Sequence, residues 1–218
     1  MAKSKRPRRG RGIIQGVRVI CYTLDVDLLR DDFESWLALL PPERREKCLR
    51  YVQAKDQLLS LGGGLLIEKF VGKGEYLYNE RGKPSKKNGP CFSLSHSGSY
   101  CLLAVAKDNI GADLELIKEK DQKLIDYCFD EEEQAHIKTQ EDFFLAWCEK
   151  EALGKLIGFG IKDPKKDPVR HIGKGTVEFE GETYRVTRGR FLDYAYALAA
   201  KEQIDAVFEH IKPAQLKA

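Results

Sequence analysis

Apolar and polar positions roughly alternate over residues 13–25, through Ile13, Ile14, Val17, Val19, Ile20 and Tyr22. That period predicts a strand with one buried face. The period then lengthens. From Asp31 to Leu40, the residues Phe33, Trp36, Leu37 and Leu40 share one side of a short helix, and Pro41-Pro42 ends it and starts the next. From Glu43 to about Phe70 the spacing of Leu49, Val52, Leu58, Leu59, Leu65, Leu66 and Phe70 is helical. Gly62-Gly63-Gly64 sits inside this run and predicts a break, since each Gly costs up to ~1 kcal/mol against Ala. Three glycines would also admit another backbone at close range. Residues 72–90, rich in Gly, Lys and Asn, read as a loop.

The second half begins after the apolar strand Tyr100–Ala106 and a tight turn at Asp108-Asn109. Ile110 to Glu115 reads as a strand. Asp130 is a good N-cap for a helix that opens on Glu131-Glu132-Glu133. A helix runs from about Asp142 to Leu156. Thr176–Phe179 and Tyr184–Thr187 flank Glu180-Gly181-Glu182-Thr183, a hairpin signal. Tyr194–Ala200 forms a last strand, and residues 201–218 are polar and read as frayed. The order is strand, helices, strands, then strand, helices, strands. That is a mixed α/β (α+β) pattern, long enough at 218 residues for one or two domains.

Composition changes this picture little and charge changes it more. No run approaches a membrane span and no apolar N-terminal segment suggests export. The six cysteines form no CxxC pair and mostly lie among apolar neighbours, which predicts buried, reduced thiols in a cytoplasmic protein. The net charge of +3 hides an asymmetry: residues 1–12 hold six Lys or Arg and no acid. Subtracting those six from 37 leaves 31 bases against 34 acids, a body of net −3. The arm, with Pro7, Gly10 and Gly12, is expected to be disordered. It is either a solvated tail or a tether for nucleic acid or an acidic partner, and the solvated tail is preferred.

The candidate chemistry lies in two stretches. In Ile110-Gly111-Ala112-Asp113-Leu114-Glu115 the carboxylates are two apart, so a strand puts both on one face. Like charges held together need a counter-charge. A hard divalent cation such as Mg²⁺ is suited to oxygen ligands and to phosphate. In Trp147-Cys148-Glu149-Lys150-Glu151-Ala152-Leu153-Gly154-Lys155, Glu151 and Lys155 share a helical face. A third carboxylate and an ammonium beside a metal suit phosphoryl transfer.

Asp113-x-Glu115 after a Gly, followed by Trp147-x-x-Lys150-Glu151-Ala152-x-x-Lys155, resembles the paired signature of the Sfp-type 4'-phosphopantetheinyl transferases. Further motifs extend the resemblance over residues 13–200: Pro42-Glu43-Arg44-Arg45-Glu46-Lys47, Gly82-Lys83-Pro84, Ser95-His96-Ser97-Gly98, and Lys155-x-x-Gly158-x-Gly160 with Phe159 where Lys is often found. Ser93 stands where the family usually has Asn. The resemblance implies two similar α/β halves with small, mainly antiparallel sheets and a pseudo-two-fold relation, with the site in the cleft between them. Residues 13–107 would form the coenzyme A-binding half, 108–211 the Mg²⁺ and catalytic half, and 212–218 a tail.

The resemblance also implies roles. Asp113, Glu115 and Glu151 hold Mg²⁺. Lys47, Arg44 and His96 hold the 3'-phosphate of coenzyme A, Gly82, Lys83 and Pro84 lie beside the adenosine, and Ser60 and Ser95 lie near the cofactor. Lys155 meets the leaving phosphate. Glu151, acting directly or through a metal-bound water, is the base, with Glu133 an alternative. On residue chemistry alone, Arg44 and Lys47 also read as helix-start charges paired with Glu43 and Glu46, and Glu133 as a capping charge. The implied reaction moves 4'-phosphopantetheine from coenzyme A to a serine of an apo acyl or peptidyl carrier protein, with the enzyme acting as a monomer. One rival is a nucleic-acid-binding protein that uses the basic arm. Another is a nucleotide-dependent phosphotransferase, which lacks support because no Gly-Lys-Ser/Thr follows the three glycines.

Overall fold

The structure is a computed structural model, describing residues 16–79, 82–119, 121–158, 161, 164 and 175–217. The basic arm 1–12, the strand start at Ile13 and Ile14, and Phe159 and Gly160 lie outside the described residues.

Strand β1 (Val17–Asp25) leads through a 3₁₀ turn (Val26–Leu29) into helices α1 (Phe33–Leu37), α2 (Pro42–Leu49) and α3 (Ala54–Phe70). Strands β2 (Tyr76–Tyr78) and β3 (Pro84–Lys86) make a small antiparallel ribbon where the sequence reads as loop. Then follow β4 (Cys91–Ser97), β5 (Tyr100–Ala106) and β6 (Gly111–Leu116). Helices α4 (Gln122–Cys128), α5 (Glu131–Gln134) and α6 (Gln140–Ile157) precede β7 (Thr176–Phe179), β8 (Glu182–Phe191), β9 (Tyr194–Ala200), β10 (Ile204–Ile211) and α7 (Pro213–Leu216).

Two four-stranded sheets result, ordered β10-β1-β5-β4 and β6-β9-β8-β7. The second is antiparallel throughout, while β1 and β10 pair in parallel in the first. Each sheet carries one long helix. Helix α3 packs Leu61, Leu65 and Leu66 into a core with Leu24, Cys101 and Leu103, and α6 packs Phe144, Ala152 and Leu156 into a core with Ala195, Ala197 and Ala199. A third cluster draws on both sheets, through Val19, Cys21, Leu102 and Ala104 from one and Ile110, Ala112, Leu114 and Leu198 from the other. The halves therefore share an apolar interior. Among the described residues no helix is long and apolar enough to cross a membrane. Five of the six cysteines are buried, and burial pushes Cys21 and Cys101 up to about 12.

Two sequence expectations are corrected. Helix α3 runs unbroken through Gly62-Gly63-Gly64. A Cβ at these positions would meet Val26 Cγ1 at 2.5 Å, Leu94 Cδ2 at 2.8 Å and Leu40 Cδ1 at 3.1 Å. The glycines admit side chains of three neighbouring elements rather than a backbone, and that packing offsets their low propensity. Residues 201–217 are not frayed. Ile204–Ile211 forms β10, in register with Val17–Leu24, so it joins the sheet of the first half although residues 108–211 read as the second. Ile211 and Leu216 are buried, so residues 212–217 are docked by α7.

Candidate active site

The outer edges of the two sheets meet where β4 lies beside β6, and serine hydroxyls bridge them. Alternation puts Ser93, Ser95 and Ser97 on one face of β4. Ser93 Oγ accepts from Ala112 N–H at 3.0 Å. Ser95 Oγ donates to Asp113 Oδ1 at 2.6 Å, and Ser97 Oγ donates to Glu115 Oε2 at 2.7 Å while accepting from Leu116 N–H at 3.1 Å. Ser-His-Ser thus lies within a paired strand, and its hydroxyls serve the carboxylates.

Helix α6 lies directly on β6. It starts with a capping box between Thr139 and Asp142 and ends at Gly158 in the left-handed region, φ 83°. A Cβ on Gly111 would lie 1.9 Å from the Ala152 carbonyl oxygen, so only Gly permits this approach. It brings Lys155 Nζ to 2.6 Å from Asp113 Oδ1 and 3.0 Å from Ser95 Oγ. Burial works against the Lys155 charge, but Asp113 and then Glu151 outweigh it and raise its pKa. Glu115 is pushed up by burial and by the Asp113 charge, against the bond from Ser97.

Lys155 also lines a cavity of about 260 Å³ shared by both halves. Arg44 and Lys47 reach it from α2, and Gly82, Lys83 and Pro84 from the β2–β3 ribbon. No acid is among its described lining residues. Lys83 Nζ donates to Asn109 Oδ1 at 2.9 Å and to the Ile110 carbonyl at 3.2 Å. Burial, with Lys155 adding to it, holds its pKa down at about 8. Burial also lowers Lys47, as do Arg44 and Arg50. Three cations, Arg44, Lys47 and Lys83, with Lys155 paired to Asp113 beside them, make a polyanion site.

The structure therefore brings together Arg44, Lys47, Gly82, Lys83, Pro84 and Lys155, with Asp113, Glu115 and Ser95 joined to them through Lys155. His96 lies on the other face of β4, outside the cavity wall; partial desolvation and then Lys155 lower its pKa. Ser60 sits beside Cys48, outside the cavity wall. Glu133 is committed elsewhere: it forms a capping box with Asp130, and its Oε2 accepts from the buried Lys150 ammonium at 2.7 Å. Lys150 also donates to the carbonyls of Cys128 and Pro164.

For a divalent cation, the donor set fits in part. Asp113 Oδ2 is buried with no hydrogen-bond partner among the described residues, next to a second carboxylate whose charge burial disfavours. Hard-oxygen, like-charged and one lobe unsatisfied, the strand pair suits such an ion. Among the described residues, however, no three of His, Cys, Asp and Glu are gathered closely enough to hold a metal, so Glu151 does not complete a ready-made triad.

Sequence reasoning missed Ser97, Asn109 and Gly111 as parts of the site. The Ser-x-Ser-x-Ser period was a signal for the first. Nothing local marks Asn109, whose Nδ2 donates to the Leu156 carbonyl at 2.9 Å and so ties Lys83 to the end of α6.

Residues 109–200 match the family model of the 4'-phosphopantetheinyl transferase superfamily. The chain is 32% identical to 4'-phosphopantetheinyl transferase gsp of Aneurinibacillus migulanus, over 56% of this chain and 57% of that relative. It is 26% identical to 4'-phosphopantetheinyl transferase Sfp of Bacillus subtilis, over 65% and 70% of the two chains. With 4'-phosphopantetheinyl transferase psf-1 of Bacillus pumilus the identity is 28% over 87% and 90%. The match to the first of these spans little more than half of that relative's length, and the match to the last nearly all. The acidic strand and the Lys-Glu helix, packed together at the seam of two small sheets, both fall within the stretch that matches the superfamily model, and the chain is similar to 4'-phosphopantetheinyl transferases of the Sfp type.

Proposed function

We propose that the protein transfers the 4'-phosphopantetheine group of coenzyme A to a serine hydroxyl of an apo acyl or peptidyl carrier protein, releasing adenosine 3',5'-bisphosphate. One observation carries this reading: Lys155 lines the four-cation cavity and also donates to Asp113 of the acidic strand. A polyanion in the cavity then lies next to the carboxylate pair. The relatives' names supply the reaction type.

In this reading Arg44 and Lys47 neutralise the 3'-phosphate and Lys83 lies on the adenosine side. His96, on the opposite face of β4 from Ser95, is the contact for a coenzyme A phosphate that extends past β4. Asp113, Glu115 and Glu151 are the residues that would hold Mg²⁺, which when bound neutralises pyrophosphate charge during displacement. Glu151 takes the proton of the carrier serine as its Oγ bonds to the β-phosphorus. The bond from that phosphorus to the bridging oxygen breaks, and the oxygen leaves with the α-phosphate against the Lys155 ammonium. Ser95 keeps Lys155 and Asp113 in register, and Glu133, already paired, is not the base. A cytoplasmic setting and a monomeric state belong to the same proposal, and largely buried cysteines fit a reducing compartment.

The test is the intact mass of apo carrier proteins after incubation with this protein, coenzyme A and Mg²⁺. A gain of one phosphopantetheine arm that EDTA abolishes is expected; no gain on several unrelated carriers by folded protein would exclude the reaction. Glu151→Ala should lower turnover about 10²–10⁴-fold while coenzyme A affinity, read by calorimetry, changes only a few-fold. A fully active variant would remove Glu151 from the mechanism.

A further inference from the structure

A second cavity, of about 410 Å³, shares no described wall residue with the one that Lys155 lines, and the transferase reading makes no use of it. Its floor is apolar, with Val17 from β1, Leu156 and Ile157 from the end of α6, Tyr184 from β8 and Ala200 from β9. Its rim is polar and exposed, formed by Asp108, Asn109, Lys201 and Glu202.

Charge at the rim selects a cation. Lys201 is engaged, with its ammonium 3.0 Å from Glu182 Oε2. Asp108 and Glu202 are the acids of the rim, and neither is paired with a base among the described residues. The last turn of α6 adds negative partial charge, because carbonyls at a helix C-terminus lack partners within the helix. An anion is disfavoured here. The occupant that fits has apolar side chains for the floor and a cation for the rim.

One segment of the chain carries both and starts at the wall. Val17 is preceded by Arg11-Gly12-Ile13-Ile14-Gln15-Gly16, of which only Gly16 is among the described residues. The Val17 N–H donates to the Gln203 carbonyl at 2.7 Å, and a Cβ on Gly16 would lie 2.6 Å from that same oxygen. The chain therefore enters β1 hard against the turn that holds Lys201 and Glu202. Arg11 is six residues from Val17, a reach of at most about 20 Å. A segment tethered this closely meets the cavity at an effective concentration on the order of mM, so it needs little affinity of its own to fill it.

We propose that residues 11–15 dock in this cavity, with Ile13 and Ile14 supplying the apolar contact to the floor and Arg11 facing Asp108 and Glu202. Docked there, the segment ties β1 to the C-terminal end of α6, the helix that carries Glu151 and Lys155. The proposal stands apart from the transferase reading, since no residue of this wall lines the polyanion cavity.

Nuclear magnetic resonance of the full chain tests it. Nuclear Overhauser contacts are expected between the methyl groups of Ile13 or Ile14 and the Tyr184 ring. The amides of Ile13, Ile14 and Gln15 should exchange about tenfold or more slowly than in a free peptide of residues 1–15. Ile13→Ser combined with Ile14→Ser should remove the contacts and the protection, and lower the thermal midpoint by at least about 2 °C. Asp108→Lys combined with Glu202→Lys should reduce the protection several-fold at low salt. Free-peptide exchange rates in the wild type overturn the proposal, as does a serine variant as stable as the wild type. Methyl contacts to any other surface, or to Tyr184 only in a dimer detected by sedimentation, also overturn it, the last by giving the cavity to a second copy.

Discussion

Lys83 combines a charge with a burial that opposes it. Its ammonium is held by Asn109 and the Ile110 carbonyl, yet its pKa stays at about 8 because desolvation, together with Lys155, outweighs what those neutral acceptors return. A polyanion bound in the cavity stabilises the charged form and raises the pKa again. Above about pH 8, binding must therefore take up a proton, and affinity for coenzyme A should fall as pH rises, by at most about tenfold per unit. Calorimetry at pH 7 and pH 9 should show the weakening, and Lys83→Met should abolish most of the difference. An identical pH dependence in the variant would place the titration elsewhere. Lys150 sits in the same motif with a different task. With side-chain exposures of 1% and 7%, Lys150 and Glu133 form a pair whose loss cannot be made up by water. Lys150→Met should cost about 3–5 kcal/mol by leaving a buried carboxylate alone, and adding Glu133→Gln should recover part of it in urea unfolding. The residue types of both lysines are legible in the sequence. Their partners are not, because Asn109 and Glu133 lie 26 and 17 positions away.

At the level of elements, position is set by how closely backbones approach. Gly111 lets α6 rest on β6, and the i,i+4 spacing of Glu151 and Lys155 then becomes useful because one end of it reaches Asp113. Gly111→Ala should destabilise the protein by about 3 kcal/mol, at the upper end of overpacking costs, since the obstructing atom is a backbone oxygen. It should also lower turnover by moving Lys155 off Asp113. Equal stability and activity in the variant would mean that α6 can shift without consequence. The serine period on β4 acts at the same scale. A strand edge normally pairs through its backbone, but here hydroxyls join the two edges, and so the carboxylates are held from the opposite sheet. The alternation of Ser93, Ser95 and Ser97 is visible in the chain. What faces it is not, because β4 and β6 make no backbone ladder with each other.

At the scale of the molecule, β10 closes the first sheet with residues from the far end of the chain. Thr23 Oγ1 and His210 Nδ1 lie 3.2 Å apart across 187 positions. Burial of Ile204, Ile211 and Leu216 contributes about 1.5–3 kcal/mol for each side chain. Ending the chain after residue 203 should therefore leave the protein unfolded or aggregated, with β1 an open edge. A truncated protein with native circular dichroism and an unchanged urea midpoint would falsify this account of the sheet. Removing residues 1–12, by contrast, should leave carrier modification intact if the arm is a solvated tail.

Local chemistry was enough to predict the strand at Ile110–Glu115, the helix that ends at Gly158 and the hairpin at Glu180-Gly181. Each depends on a period, a cap or a turn that a few neighbouring residues determine. Tertiary packing decided the rest. It kept α3 helical through three glycines, turned a polar C-terminal stretch into a sheet strand, committed Glu133 to Lys150, and set Ser60 and His96 outside the cavity wall. All four outcomes depend on partners distant in sequence, whose burial outweighs local propensity and which no local pattern can reveal.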